Sequence, residues 1–153
     1  MNQPVFRQAS HRDLDAIVYL LADDALGSNR ERYEHPLPQS YEKAFKAIES
    51  DPHNQLIIAE IEGRMAGVIQ LTLIPNITYQ GGWRAQIEGV RVAARFRGQG
   101  IGQAMIEHCI EVAREAGCRL MQLTTDKQRP DAIAFYQSLG FVATHEGMKR
   151  FLG

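Results

Sequence analysis

Arg95-Phe96-Arg97-Gly98-Gln99-Gly100-Ile101-Gly102 decides how this chain is read. Just before it, residues 83–92 (WRAQIEGVRV) alternate as a strand does, setting Gln86, Glu88, Val90 and Val92 on one side and Ile87, Gly89 and Arg91 on the other. Just after it, Ile101, Ala104, Met105, Cys109, Val112 and Ala116 recur at helical spacing, and Gly117 predicts the stop. The glycines therefore stand in a strand-to-helix turn. Glycine lets a backbone turn sharply and approach a ligand closely, and the first N–H groups of a helix carry partial positive charge. Together they have the makings of an anion site, suited to a pyrophosphate.

Two familiar phosphate loops do not fit this segment. The dinucleotide fingerprint GxGxxG meets Gln103 in its third glycine position when counted from Gly98, and Met105 when counted from Gly100. The nucleotide triphosphatase loop requires Gly-Lys-Ser/Thr, and no lysine follows these glycines. On the glycines alone, a ligand-free turn and an anion site stand level.

Working outward, residues 4–9 alternate like a first strand, and Ser10 followed by Asp13 makes a capping-box start for a helix reaching about Ala25, with Gly27 closing it. Residues 28–39, with Pro36 and Pro38, predict a loop, and 39–51 a second helix. Residues 55–62 and 64–74 predict an antiparallel hairpin turning at Glu62-Gly63-Arg64. Past the 101–116 helix, RLMQLTT (119–125) predicts a fifth strand, Pro130 opens a helix ending at Gly140, and 141–145 and 148–152 predict closing strands. This order gives an α/β (α+β) fold: a mixed sheet with helices on its faces, neither a helical bundle nor an all-β sandwich.

The chain has 153 residues, 44% apolar and 23% charged, which suits a single domain over 1–153. Its formal charge of −1 provides no global field toward nucleic acid or an anionic membrane. No apolar run approaches the ~18 residues of a membrane span, and the N-terminus lacks an export signal, so a cytoplasmic location is expected. Cys109 and Cys118, with no CxxC, fit buried thiols rather than a disulfide framework or zinc finger. His108 and Cys109 have no ligand partners at metal spacing, so no metal site is expected.

Arg95-x-x-Gly98-x-Gly100 matches the acyl-CoA pyrophosphate motif of the GNAT N-acetyltransferase superfamily, and Ala132-Ile-Ala-Phe135-Tyr136-Gln-Ser-Leu-Gly140-Phe141 matches a second mark of it. The chain resembles that family over nearly its whole length, least between Leu26 and Ser40. The resemblance implies a mostly antiparallel sheet whose fourth and fifth strands splay at the glycine loop, leaving a cleft for acetyl-CoA. It implies that backbone around Arg97, Gly98, Gln99, Gly100, Ile101 and Gly102, beside Arg95, holds the pyrophosphate. The main chain of Val90 and Val92 would pair with pantetheine, and Phe135 would adjoin the cofactor.

Tyr136 takes the family's general-acid place, where a phenol with an ordinary pKa of about 10 stays protonated at neutral pH and donates to a leaving thiolate. Direct attack by an amine also needs a proton acceptor. Glu88 is the first candidate, since the alternation puts it on the face of Val90 and Val92; Gln86 could order a water. Arg129 stands where many relatives carry a cofactor-contacting asparagine, so Arg129 or Lys127 could touch phosphate or substrate instead.

The function expected is acetyl transfer from acetyl-CoA to a primary amine of a small molecule in a ternary complex. Two other readings stand beside it: a non-catalytic acyl-CoA-binding or regulatory module, and a protein N-acetyltransferase. Substrate choice is placed in residues 23–38 and 75–83, where the signs are mixed: Asp23, Asp24, Glu31 and Glu34 could attract a cationic amine, Arg30 and Arg32 could clamp a carboxylate or phosphonate, and Tyr79 and Trp83 could wall the pocket. A homodimer is admitted, with edge strands near the C-terminus as the place to look for it.

Overall fold

The computed structural model describes residues 3–153; Met1 and Asn2, at the start of the expected domain, lie outside them. The elements run β1 (Val5–Gln8), a 3-10 turn (His11–Asp13), α1 (Leu14–Ala22), α2 (Ala25–Arg30), α3 (Gln39–Ser50), β2 (Asn54–Ile61), β3 (Arg64–Ile74), a one-turn α4 (Thr78–Gly81) and β4 (Arg84–Val92). A second 3-10 turn (Ala94–Phe96) leads to α5 (Ile101–Glu115), β5 (Leu120–Gln122) and α6 (Pro130–Ser138). Among the described residues no helix is long and apolar enough to cross a membrane.

The sheet order is β1-β2-β3-β4-β5, antiparallel throughout except for the parallel β4–β5 pair. The expected hairpin forms at Glu62 and Gly63, whose φ values of 50° and 75° are the left-handed pair that a tight two-residue turn needs. Helices cover both faces. Under α5 lie Ile57, Ile69, Leu71, Ala85 and Ile87 with Met105, Ile106 and Cys109, a buried cluster in which β-branched isoleucine is the commonest residue. On the other face α1 places Ile17 and Leu20 against Ile58 and Val68, while Leu14 and Val18 pack with Phe45 of α3.

Asp13, the acid of the expected capping box, accepts from the Ser10 N–H at 2.7 Å and takes a two-pronged contact from Arg7 of β1 at 2.7 and 2.9 Å. That guanidinium holds the Asp13 carboxyl well down, at about 2.

Three expectations are corrected. The first helix ends at Ala22, and Gly27 does not close it: Asp24 accepts the Gly27 N–H at 2.5 Å and caps a new helix, α2, that runs across Gly27 into the first residues of the stretch read as loop. The fifth strand shortens from 119–125 to Leu120–Gln122. The closing strands at 141–145 and 148–152 are not strands; a three-residue edge is too short a template, and Val142, Met148, Phe151 and Leu152 stand exposed. Phe141 alone of this tail stays against the core, beside Tyr136.

Candidate active site

The site begins where two strands part. β5 follows β4 from Arg84↔Leu120 to Gln86↔Gln122 and then leaves it, so β4 continues to Val92 without a neighbour on that side. Ala93 donates its N–H to the Ala66 carbonyl of β3 at 2.7 Å. Backbone groups alternate in direction along an antiparallel strand, so Val92 turns its N–H and C=O toward the cleft, and Val90 does the same two residues earlier. Both carbonyls are reached by side chains rather than by the ladder: Arg91 Nη1 donates to Val90 at 2.9 Å and Arg97 Nε to Val92 at 3.4 Å.

One extra residue on β4 changes what faces what. The β3–β4 register shifts between Val68 and Gln70, where Ile69 stands opposite both Gly89 and Val90, and Gly89 has φ 61°. This is a bulge built on a glycine in the left-handed region, a conformation that would strain a residue with a side chain. Before it, Gln86 and Glu88 share the face of Thr72 and Gln70; after it, Arg91 joins that face opposite Val68, while Val90 and Val92 pack on the α5 side. The expected grouping of Glu88 with Val90 and Val92 is therefore corrected. A simple period of two assigns Arg91 to the opposite side and misses it, although the lone Gly89 inside a strand pattern is the available signal.

The glycine turn fits the role of an anion cradle. Gly98 and Gly100 have φ 77° and 81°, and Gly100 caps α5. Among the described residues, the backbone N–H groups of Gly98, Gln99, Gly100, Ile101, Gly102 and Gln103 have no protein acceptor; the ladder of α5 begins with Ala104 N–H to Gly100 C=O at 3.0 Å. Such a row of free donors at a fifteen-residue helix's N-terminus matches the oxygens of a pyrophosphate. Phe96, buried, pins the turn from beneath, and the Arg95 guanidinium lies over its ring at 5.3 Å. Gly102 serves a different purpose: a Cβ there would come within 3.2 Å of the Phe135 ring, so this glycine lets α6 lean on α5.

That contact carries Tyr136 to the seam. Its ring is wedged between Phe135 and Phe141, with centroids 5.2 and 5.9 Å away. Burial pushes the phenol above its ordinary pKa, and the nearby Arg91 and Arg129 pull in the opposite direction, so it is protonated at neutral pH. Across the seam, Arg84 donates to Gln122 at 3.4 Å, Gln122 to Gln86 at 3.0 Å, and Gln86 to the exposed Glu88 carboxylate at 2.5 Å. Neither Gln122 nor Arg84 stands out in the sequence.

An ionic group closes the mouth. Asp24 receives Arg129 through both guanidinium arms at 2.9 and 3.3 Å and Arg91 at 3.6 Å, while Arg30 pairs with Asp126 just beyond β5. Arg129 is thus tied to α2. Glu31, close enough to Arg91 to influence its charge, receives the Tyr41 hydroxyl at 2.8 Å. Beside it opens a cavity of about 260 Å³ lined by Arg30, Glu31, Arg32, Pro38, Ser40 and Tyr41. Of the expected pocket walls, Tyr79 lies under Arg84 and Trp83 packs edge-on against His53.

Cys109 is buried with its thiol pushed up to about 12, and His108 stacks on Phe6 at 4.2 Å. Among the described residues no group of three or more His, Cys, Asp or Glu is placed to hold a metal ion.

This splayed α/β sheet, with its open strand edge and amide-lined turn, has the architecture of an acyl-transfer fold. The model of the Acetyltransferase (GNAT) family matches residues 18–141, and the chain belongs to that family of acetyl-CoA-dependent N-acetyltransferases. It is 30% identical over 139 residues to the aminoalkylphosphonate N-acetyltransferase of Salmonella typhimurium, covering 91% of this chain and 85% of that one. A crystal structure described as a transcriptional regulator from Bacillus halodurans C-125 matches with a TM-score of 0.94 and 54% identity over 97% of this chain and 99% of that chain. A putative acetyltransferase from Agrobacterium tumefaciens matches at 0.83 and 27% identity over 97% and 99%.

Proposed function

We propose that this protein acetylates the primary amine of a small molecule by direct attack within a ternary complex. The observation that carries this reading is the open edge of β4, which leads to the free amides at the start of α5 and holds Arg91 close enough to Tyr136 of α6 to act on its phenol. Acetyl-CoA supplies an activated acetyl thioester. The amides of residues 98–103 hold its pyrophosphate, with Arg95 and Arg97 flanking, and the main chain of Val90 and Val92 pairs with the pantetheine arm in place of a strand. For both carbonyls to pair, Arg91 Nη1 and Arg97 Nε move off them.

An alkylamine is mostly ammonium at neutral pH, so one proton must leave before its lone pair attacks the carbonyl carbon. Glu88 takes that proton through a water, its carboxylate oriented by Gln86 and Gln122. As the C–N bond forms and the C–S bond breaks, Tyr136 donates its phenolic proton to the departing sulfur, the nitrogen gives up its second proton to solvent, and Tyr136 is reprotonated from solvent. The arrangement needs no acyl-enzyme, and the thiol of Cys109 is buried in the core, not at the cleft.

The Salmonella relative, named for an aminoalkylphosphonate, supports a small amine as acceptor. The test is two-substrate kinetics with acetyl-CoA and a panel of small amines. Intersecting initial-rate patterns are expected; parallel patterns with a trapped acyl-enzyme would overturn direct attack. The Bacillus halodurans structure, described as a regulator, supports a second reading in which acetyl-CoA binding itself is the signal. Binding without product from small amines or N-terminal peptides would favour it.

A further inference from the structure

Arg91 takes no part in the proton transfers above, yet the bulge at Gly89 delivers it to the face of Glu88. Its side chain is only 21% exposed. Two arginines share one carboxylate there: Asp24 binds Arg129 at 2.9 and 3.3 Å and the Gly27 N–H at 2.5 Å, leaving Arg91 the 3.6 Å position. The atom at that 3.6 Å distance is Arg91 Nε, buried and too far from Asp24 to hydrogen-bond, and Nη1 turns back on the carbonyl of Val90. Burial presses the guanidinium toward its neutral form more than any neighbour does, Arg129 adds to that pressure, and Asp24, Tyr136 and Glu31 each offset it less strongly. A guanidinium held this dry seeks an oxyanion, because its planar fork matches two oxygens at once.

Resting on the acetyltransferase reading, we propose that Arg91 is a specificity-determining residue that binds an oxyanion on the acceptor, so the substrates are small amines carrying a carboxylate, phosphate or phosphonate. The amine sits at the Tyr136 and Glu88 end of the cleft. The anion displaces the weak Asp24 contact at Arg91 and satisfies the orphaned Nε–H. The cavity next to Glu31 accommodates the remainder of the molecule and keeps it short.

The experiment compares 2-aminoethylphosphonate, O-phosphoethanolamine and β-alanine with the uncharged n-propylamine in the native chain, Arg91→Leu and Arg91→Lys, each also scored for thermal stabilisation by acetyl-CoA. The native chain is expected to favour at least one anionic amine over n-propylamine by tenfold or more in kcat/KM. Arg91→Leu should erase that preference through the acceptor KM while keeping its stabilisation by acetyl-CoA, and Arg91→Lys should retain part of it. The three anions separate phosphonate, phosphate and carboxylate recognition. Equal use of charged and uncharged amines would overturn the proposal alone. Loss of acetyl-CoA stabilisation in Arg91→Leu, with Arg91→Lys behaving likewise, would place the arginine in cofactor binding and also overturn it. Absence of product from every amine would overturn the acetyltransferase reading together with it.

Discussion

Strands β1 to β4 zip together over long antiparallel registers around Ile57, Ile58, Ile69 and Leu71, all at or below 1% exposure. The other half of the molecule, β5 with α6, is attached by three register pairs, and α6 has no buried residue at all. The proposed reaction is assembled from both: the strong half offers a strand edge that cannot move, and the weak half brings Tyr136. Local opening is easiest where few apolar contacts are buried, so ligand entry is expected to move α6 and the tail rather than β4. A cleft between a rigid wall and a compliant one admits a long, flexible cofactor without unfolding the core.

The strongest challenge to this division of labour is chemical. Tyr136→Phe keeps the ring wedged by Phe135 and Phe141 and removes only the acid, so kcat should fall by about 10²–10⁴ with acetyl-CoA stabilisation intact. Unchanged turnover would take the acid role away from the weak half. Next in size is packing. Ile69→Ala in the strong half should cost about 2–5 kcal/mol in denaturant unfolding, whereas Leu139→Ala after α6, only half-buried, should cost less than half as much. Equal losses would mean the halves are not unequal.

Acid stability belongs to the strong half as well. Asp13 has its pKa depressed from 3.8 to about 2, so the unfolded chain binds the extra proton and stability rises with pH through that window. The contribution is about 2 kcal/mol, complete above roughly pH 4 and lost as the pH falls through about 2. Asp13→Asn should lower stability at neutral pH and flatten that acid limb, measured as unfolding free energy between pH 2 and 6. The smallest effect concerns the turn between the halves. Gly100→Val forces a branched residue to φ 81°, and acetyl-CoA binding should weaken by about tenfold or more, with a matching loss of thermal stabilisation. Retained affinity would remove the amide cradle from the cofactor's path.

Much of this fold is legible in the amino-acid order. The helical stripe of α5, the hairpin at Gly63 and the Pro130 start of α6 follow from spacing and from residues with narrow backbone preferences, and each forms near its expected position. Gly27 misleads because a glycine past a helical stripe reads as a stop, while the Asp24 side chain restarts the helix across it. The tail misleads because alternation marks residues able to form a strand but says nothing of whether an edge awaits them, and β5 ends at Gln122. Tyr136 and the glycine turn are legible from motif, but one residue of bulge separates Glu88 from the neighbours that alternation gives it.

Local conformations are thus written in the chain itself: where glycine permits a left-handed turn, where an acid caps a helix, where apolar residues repeat. Which charges and donors meet is settled only in three dimensions. Asp24 and Arg129 stand 105 positions apart, and Gln86 and Gln122 stand 36 apart, so no local preference links them. The register of β4 against β5 joins the two glutamines, the caps of α2 and α6 meet as Asp24 and Arg129, and a single inserted residue at Gly89 reverses every β4 side chain beyond it because a strand has a period of two.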